Sequence, residues 1–148
     1  MRGLFLAAIF ALAGTGAAMA DDIIKVKTDK SVAEALDALE AAVGNAGATV
    51  FARIDHAAGA KNIGETIADN QVLIFGNPKL GTPAMQIDPL AGLFLPLKVQ
   101  AYQDASGQVW LAYEDPEEMF DELDDVEKSP IVGKMQGALK KLTGAAAQ

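Results

Sequence analysis

Residues 95–114 read LPLKVQAYQDASGQVWLAYE, and this stretch decides the class of fold. Apolar and polar residues alternate from Leu95 to Gln103 and again from Gln108 to Glu114, as in strands that have one face on a core. The segment between them, Asp104 to Gly107, consists of residues that favour turns. The stretch therefore predicts an antiparallel hairpin of two strands.

Three further strands are expected before this hairpin. Ile23 to Lys27 alternates and predicts a short first strand, and Thr49 to His56 predicts a second. In the second strand, alternate residues from Val50 to His56 share one face, because side chains alternate along a strand. Gln71 to Phe75 is apolar on both faces, which is typical of a strand inside a sheet.

Two longer helices are predicted, one near each end of the domain. The capping box from Ser31 to Glu34 precedes an apolar helical periodicity that runs from Val32 to Val43. The pair Ser129-Pro130 begins a last helix, whose apolar stripe extends from Ile131 to Leu142. Both helices have one apolar side, so we expect each of them to pack on a sheet.

Shorter helices are expected between these elements. Thr82 and Pro83 suit the cap and first position of a helix that runs to about Ala91, and another covers Pro116 to Leu123. Residues 57–70 are interpreted as irregular, with one helical turn near residues 63–68. The order is thus strand, helix, four strands and helix with short inserted helices. That order predicts an α+β fold, with an antiparallel sheet and helices on one face.

The first twenty residues have the three parts of a signal peptide. Met1-Arg2 is a positive start, Leu4 to Ala13 is a short apolar run, and Ala18 to Ala20 is a cleavage site of small residues. We expect cleavage after Ala20, which leaves residues 21–148 as a single domain that is periplasmic or secreted. The apolar run is too short for a membrane span, so no membrane insertion is expected after processing.

Composition excludes several classes of function. The chain of 148 residues has a net charge of −8 at pH 7, and such a surface repels nucleic acid. It has no cysteine, which excludes disulfides, thiolate metal sites and covalent attachment of a c-type haem. No motif of a nucleotide-binding loop or of a hydrolytic triad is present, so no catalytic residue is assigned.

Two segments resemble a known family. They are Ile74 to Pro83 (IFGNPKLGTP) and Leu95 to Lys98 (LPLK), with VFARIDH at 50–56 and VWLAY at 109–113 as flanks. Over residues 26–142 the chain is similar to the family catalogued as domain of unknown function 302. The resemblance implies a fold like that of TATA-binding protein, and it implies no chemistry, because the family has no assigned activity.

The segment from Gly76 to Thr82 is the first candidate site. It joins a strand to a helix, and free amides at a helix N-terminus beside Lys79 would suit a carboxylate or phosphate. The other interpretation is a tight connection whose glycines and prolines set its geometry. Asn77, Lys79, Thr82 and Met85 are the ligand-binding candidates of this region, and His56 is the fifth.

His56 is the only histidine, which makes it the only strong candidate for a metal ligand. A histidine and methionine pair, His56 with Met85, would suit haem iron or copper. The competing interpretation is a hydrogen-bonded histidine at a strand end, and no cofactor is then expected. Nine of the fourteen residues from Glu114 to Glu127 are acidic, but without the spacing of a calcium loop.

The sequence therefore favours an exported, non-enzymatic domain that binds a small molecule or an anion, with a homodimer as a further option. The alternative is a redox, metal or haem-associated periplasmic protein that uses His56. The two hypotheses differ in where a ligand is held, and that difference depends on which candidate residues the fold brings together.

Overall fold

The computed structural model of the chain describes residues 22–148. The expected signal peptide, residues 1–20, and its cleavage site after Ala20 lie outside this range. Within it the strands are β1 (Ile23–Thr28), β2 (Thr49–Asp55), β3 (Asn70–Gly76), β4 (Leu97–Gln103) and β5 (Val109–Glu114). The helices are α1 (Val32–Asn45), α2 (His56–Asn62), α3 (Pro78–Ile87), α4 (Ala91–Phe94), α5 (Pro116–Met119), α6 (Asp124–Glu127) and α7 (Pro130–Ala147).

The strands form one antiparallel sheet in the order β1-β5-β4-β3-β2. The predicted hairpin is β4 and β5, with Tyr102 opposite Trp110. β3 lies between β4 and β2, as its apolar sequence predicts. The α+β class, the antiparallel sheet and the order of strand, helix, four strands and helix are therefore confirmed.

The core lies between one face of the sheet and the helices α1 and α7. Buried residues of this face include Leu73, Phe75, Val99 and Leu111. The helices contribute a matching set of buried side chains, namely Val32, Leu36, Leu39, Val43, Ile131, Met135, Leu139 and Leu142. Each large apolar side chain buried in this way contributes about 1.5–3 kcal/mol. The capping box is present, since the Ser31 hydroxyl accepts a hydrogen bond from the Glu34 amide and the Glu34 carboxylate accepts one from the Ser31 amide.

The strand predicted to end at His56 ends one residue earlier. Asp55 Oδ1 accepts a hydrogen bond from the Ala58 amide at 2.8 Å, and this cap starts α2 at His56. The predicted helical turn near residues 63–68 is wrong, because the helix lies at His56–Asn62 instead. Aspartate is a strong helix cap, and here it decides the boundary between β2 and α2.

The helix predicted to begin at Thr82 begins at Pro78. Asn77 is its cap, and Pro83 lies inside the helix. The strands of the final hairpin start slightly later than predicted, β4 at Leu97 and not at Leu95, and β5 at Val109 and not at Gln108. The helical turn α4 precedes it, and the peptide bond between Leu95 and Pro96 is cis.

The hairpin loop is held by Asp104. Its carboxylate accepts hydrogen bonds from the Ser106 hydroxyl at 2.6 Å, from the Trp110 indole at 2.8 Å, and from the amides of Ser106 and Gln108. These hydrogen bonds lower the pKa of Asp104 from 3.8 to about 2, and the bond from the Ser106 hydroxyl has the largest effect, followed by that from the Trp110 indole. These bonds fix the turn that sets the register of β4 and β5.

We predict that stability falls between pH 4 and pH 2 partly through Asp104. The folded pKa is below the unfolded value, so its stabilising effect is complete above about pH 4 and disappears as the pH falls through 2. Thermal unfolding of the protein and of Asp104→Asn, followed by fluorescence of the single tryptophan, tests this at pH 6, 4, 3 and 2. The gap between the two melting temperatures should narrow as the pH falls. A constant gap would contradict the assigned role.

Candidate functional site

A cleft of ≈ 280 Å³ lies where β3 runs into α3. The segment from Gly76 to Thr82 forms one side, and Leu95 to Leu97 forms another. Phe51 of β2, Met85 of α3, Gly92 of α4 and Met135 of α7 complete the lining. The two sequence segments that carry the family resemblance, FGNPK and LPLK, therefore meet around one cavity.

Asn77 determines the local structure of this side of the cleft. Its side-chain oxygen accepts a hydrogen bond from the Lys79 amide at 3.0 Å, and its carbonyl accepts from the amides of Leu80 and Gly81. Pro78, the first residue of α3, has no N–H group. The amides that the sequence suggested for an anion are therefore already hydrogen-bonded within the turn.

Phe51 reaches the cleft because of an irregularity in β2. The register with β3 shifts between Val50 and Ala52, so Phe51 is an extra residue in a β-bulge. Its side chain is 58% exposed, and a Cβ atom placed on Gly76 would lie 3.0 Å from its ring. With a Cβ atom at position 76, the ring would have to shift slightly from this position.

The cleft has an apolar floor and an apolar mouth. Leu97 and Met135 are buried at the floor, while Phe51 and Met85 are exposed at the mouth. No charged side chain lines the cavity, and its polar lining side chains are those of Asn77 and Thr82. Such a cavity suits an apolar molecule that makes few, well-placed hydrogen bonds.

Three of the five residues proposed from the sequence lie together. Asn77, Thr82 and Met85 all line the cleft, whereas Lys79 is exposed on α3 and is not part of the lining. Phe51 and Met135 are not among the residues proposed from the sequence. A bulge has no sequence signature that reveals it in advance, and Met135 is indistinguishable from the other residues of its apolar stripe.

His56 lies at the opposite end of the sheet from the cleft. Thr49 at the start of β2 pairs with Gly76, and Asp55 at its end pairs with Gln71, just before His56. Phe51 is the lining residue of β2 and lies five residues before His56, so at about 3.3 Å per residue roughly 15 Å of strand separate His56 from the cleft. The fold therefore does not bring His56 and Met85 together, as a shared haem or copper site would require.

The family is shown by sequence comparison. The sequence profile described as "Domain of unknown function DUF302" matches residues 24–147. The chain belongs to the DUF302 family. A crystal structure of an uncharacterized conserved DUF302 protein from Bacillus stearothermophilus has the same fold as this domain. The TM-score is 0.79 with 18% sequence identity, and the match covers 87% of this chain and 100% of the other.

Curated relatives of this DUF302 domain carry a different name. The chain is 42% identical over 94 residues to "Fluoride-specific ion channel FluC 1" of Brucella suis biovar 1 (strain 1330). The same identity relates it to "Fluoride-specific ion channel FluC 1" of Brucella abortus biovar 1 (strain 9-941). The match covers 64% of this chain but only 37% and 35% of these two relatives. The chain thus spans about a third of the proteins that bear that name.

Two other features of the DUF302 domain bear on function. Among residues 22–148, no three histidine, cysteine, aspartate or glutamate side chains are grouped so that they could hold a metal ion, and the acidic run is included in that range. In the same range, no helix has the length and apolar character that crossing a bilayer requires.

We predict that His56→Ala leaves the bound metal and visible absorption of the purified protein unchanged. The side chain is exposed at the start of α2, and a single imidazole is a weak metal site. Native mass spectrometry and absorption spectra of the protein and of His56→Ala test this. A haem or copper band that disappears in the variant would favour the redox hypothesis instead.

Proposed function

We propose that this DUF302 domain is an exported, non-enzymatic binding domain that holds a small, mainly apolar molecule in the cleft between the FGNPK and LPLK segments. The observation that carries the proposal is the cleft itself: ≈ 280 Å³, with an apolar lining and two polar side chains. A cavity of about 150 Å³ with an apolar lining is sufficient to bind benzene. A ligand somewhat larger than benzene is therefore the expected occupant.

The side chains of potential nucleophiles support a role without catalysis. Within residues 22–148, the hydroxyl of Ser31 is bound to Glu34, that of Ser106 to Asp104 and that of Ser129 to the Val126 carbonyl. A catalytic serine needs a neighbouring base, and the only histidine lies at the far end of the sheet. The hydroxyls thus act in caps and turns.

Export is supported by the three-part leader at residues 1–20. In an exported domain without disulfides, the shape of a binding cavity has to be stabilised by the packing of the apolar core. Here the floor of the cleft is formed by Leu97 and Met135, which also belong to the buried core. The cleft is therefore largely formed before a ligand arrives.

Filling the cleft should abolish binding. Gly81 lies in α3 and lines the cleft, and a Cβ atom there would lie 3.5 Å from Leu95 Cδ1, which is an ordinary contact. Gly81→Leu should keep α3 intact, since leucine is favoured over glycine in a helix by roughly 0.5–1 kcal/mol. Its side chain would occupy the cavity. NMR titration with ethylbenzene should show binding to the unaltered protein and at least a tenfold loss in Gly81→Leu.

Gly137→Leu is the matched control. Gly137 lies on the exposed side of α7, and nothing lies within 4 Å of a Cβ atom placed there. This variant should bind ethylbenzene as the unaltered protein does. Equal binding by Gly81→Leu and Gly137→Leu would show that the molecule is held somewhere else.

A second candidate is a part in fluoride handling, favoured by the 42% identity to proteins named fluoride-specific ion channels. The cleft has no cation among its lining residues, and the chain carries a net charge of −8. Both features disfavour binding of the fluoride ion by this domain. In this second candidate function the domain would assist a fluoride channel, and the channel itself would bind the ion.

If the domain does not bind fluoride, its melting temperature should be the same in sodium fluoride as in sodium chloride of equal ionic strength. Differential scanning fluorimetry over a fluoride series measures this directly. A rise in melting temperature that is specific to fluoride would make the ion a ligand. Loss of fluoride tolerance in cells that lack the chain, with no such rise, would support the assisting role.

A further inference from the structure

The polar groups of the cleft narrow the class of molecule that fits it. Asn77 Oδ1 accepts the hydrogen bond from the Lys79 amide, and this contact fixes the orientation of the side-chain amide. The other end of the amide, Nδ2, can only donate. Among the hydrogen bonds of residues 22–148, Nδ2 takes part in none.

Thr82 supplies the second polar side chain. It is one helical turn and a residue after Asn77, and its hydroxyl likewise makes no hydrogen bond within residues 22–148. A hydroxyl can donate to an oxygen acceptor or accept from a donor. Two groups that can both donate, beside an apolar wall, match a carbonyl, ether or hydroxyl oxygen of a ligand.

The electrostatics of the cleft disfavour a charged ligand. A carboxylate taken into this cavity would lose its hydration and meet no cation among the lining residues. Lys79 is exposed and lies outside the lining, and the first amides of α3 are already bonded to Asn77. An anion would gain little and would lose its contacts with water.

The shape of the apolar lining favours a compact, flat molecule. Phe51 presents a ring, Met85 and Met135 present thioethers, and the glycines at positions 76, 81 and 92 bring bare backbone to the lining. A Cβ atom on Gly92 would lie 3.3 Å from the Met85 sulfur, so Met85 packs directly on the backbone there. Thioethers and aromatic rings make favourable contacts with an aromatic ligand.

We infer that the cleft selects an uncharged aromatic molecule with one hydrogen-bond acceptor, which Asn77 Nδ2 and the Thr82 hydroxyl recognise. This inference rests on the proposed binding function and names its ligand class. The apolar lining provides affinity for the ring, and the two donors provide the preference for a molecule with an oxygen acceptor. Carboxylates of the same size are rejected because no cation replaces their water.

Three probes of nearly equal size test the inference on the full chain, expressed with its own leader and purified. They are ethylbenzene, which has no acceptor, acetophenone, which has a carbonyl, and benzoate, which is charged. NMR titration should show acetophenone binding about tenfold more tightly than ethylbenzene, the gain expected of about one net hydrogen bond. Benzoate should bind at least tenfold more weakly than acetophenone.

Two variants identify the donors. Asn77→Asp keeps an oxygen that caps α3 but replaces the donor with a charged acceptor, and Thr82→Val keeps the shape but removes the hydroxyl. Each should reduce the preference for acetophenone over ethylbenzene about tenfold or remove it. Lys79→Gln, outside the lining, should leave the preference intact. Because the readout is a ratio, a general loss of stability does not imitate the expected result.

The outcomes separate the two proposals. Equal affinity for acetophenone and ethylbenzene would overturn the inference and leave the binding function standing. A preference that persists in both Asn77→Asp and Thr82→Val would overturn it as well. If benzoate bound most tightly and Lys79→Gln weakened it, the site would be an anion site. Binding of none of the three probes would overturn the inference and remove the main support of the proposed function.

Discussion

The contact of α1 and α7 with one face of the sheet is the interaction on which the rest of the structure depends. The chain has no cysteine, and the ion pairs of residues 22–148 lie at the surface, where such pairs contribute little. Stability therefore has to come from apolar burial, which is concentrated between the sheet and these two helices. Met135 belongs to that core and also forms the floor of the cleft.

The cleft depends on this core because its other walls are short elements that have little stability of their own. α4 has four residues, and α3 has ten residues with a proline inside it. Isolated helices of this length are marginal in water. They hold their positions because Ala84 and Ala91 are fully buried against the core and because Asn77 caps α3. A small side chain at both buried positions lets the helices pack closely, and α3 lies against α4, α6 and α7.

Most of the architecture could be predicted from the sequence, and the reasons are local. Alternation defines β4 and β5, and the Ser31–Glu34 capping box is where α1 begins. The predicted starts of α2 and α3 were wrong because a side chain near each start could have either of two roles in the sequence. Asn77 and Thr82 are both good caps, and the one that lies at the end of β3 is the one used. Asp55 reads as a strand residue by alternation, yet its carboxylate caps α2.

The lining of the candidate site was predicted in part. The sequence motif contains Asn77 and Thr82, whereas Phe51 reaches the cleft only because the register of β2 shifts.

The cleft leaves space that a larger side chain could fill, and exposed apolar residues lie at its mouth. Elsewhere in residues 22–148 the chain meets the usual demands of folding, and no buried side-chain nitrogen or oxygen lacks a hydrogen-bond partner. At the cleft and the adjoining turn, Phe51, Met85, Leu90 and Leu93 are 40–80% exposed, and isoleucines away from the cleft, such as Ile63 at 77%, are exposed as well. A larger residue than glycine at position 81 would fill part of the cavity at ordinary contact distance and would favour the helix. That change would be expected to increase the stability of the folded domain. The space left at position 81 therefore supports the proposed binding of a molecule in the cleft, which would also cover the apolar side chains at its mouth.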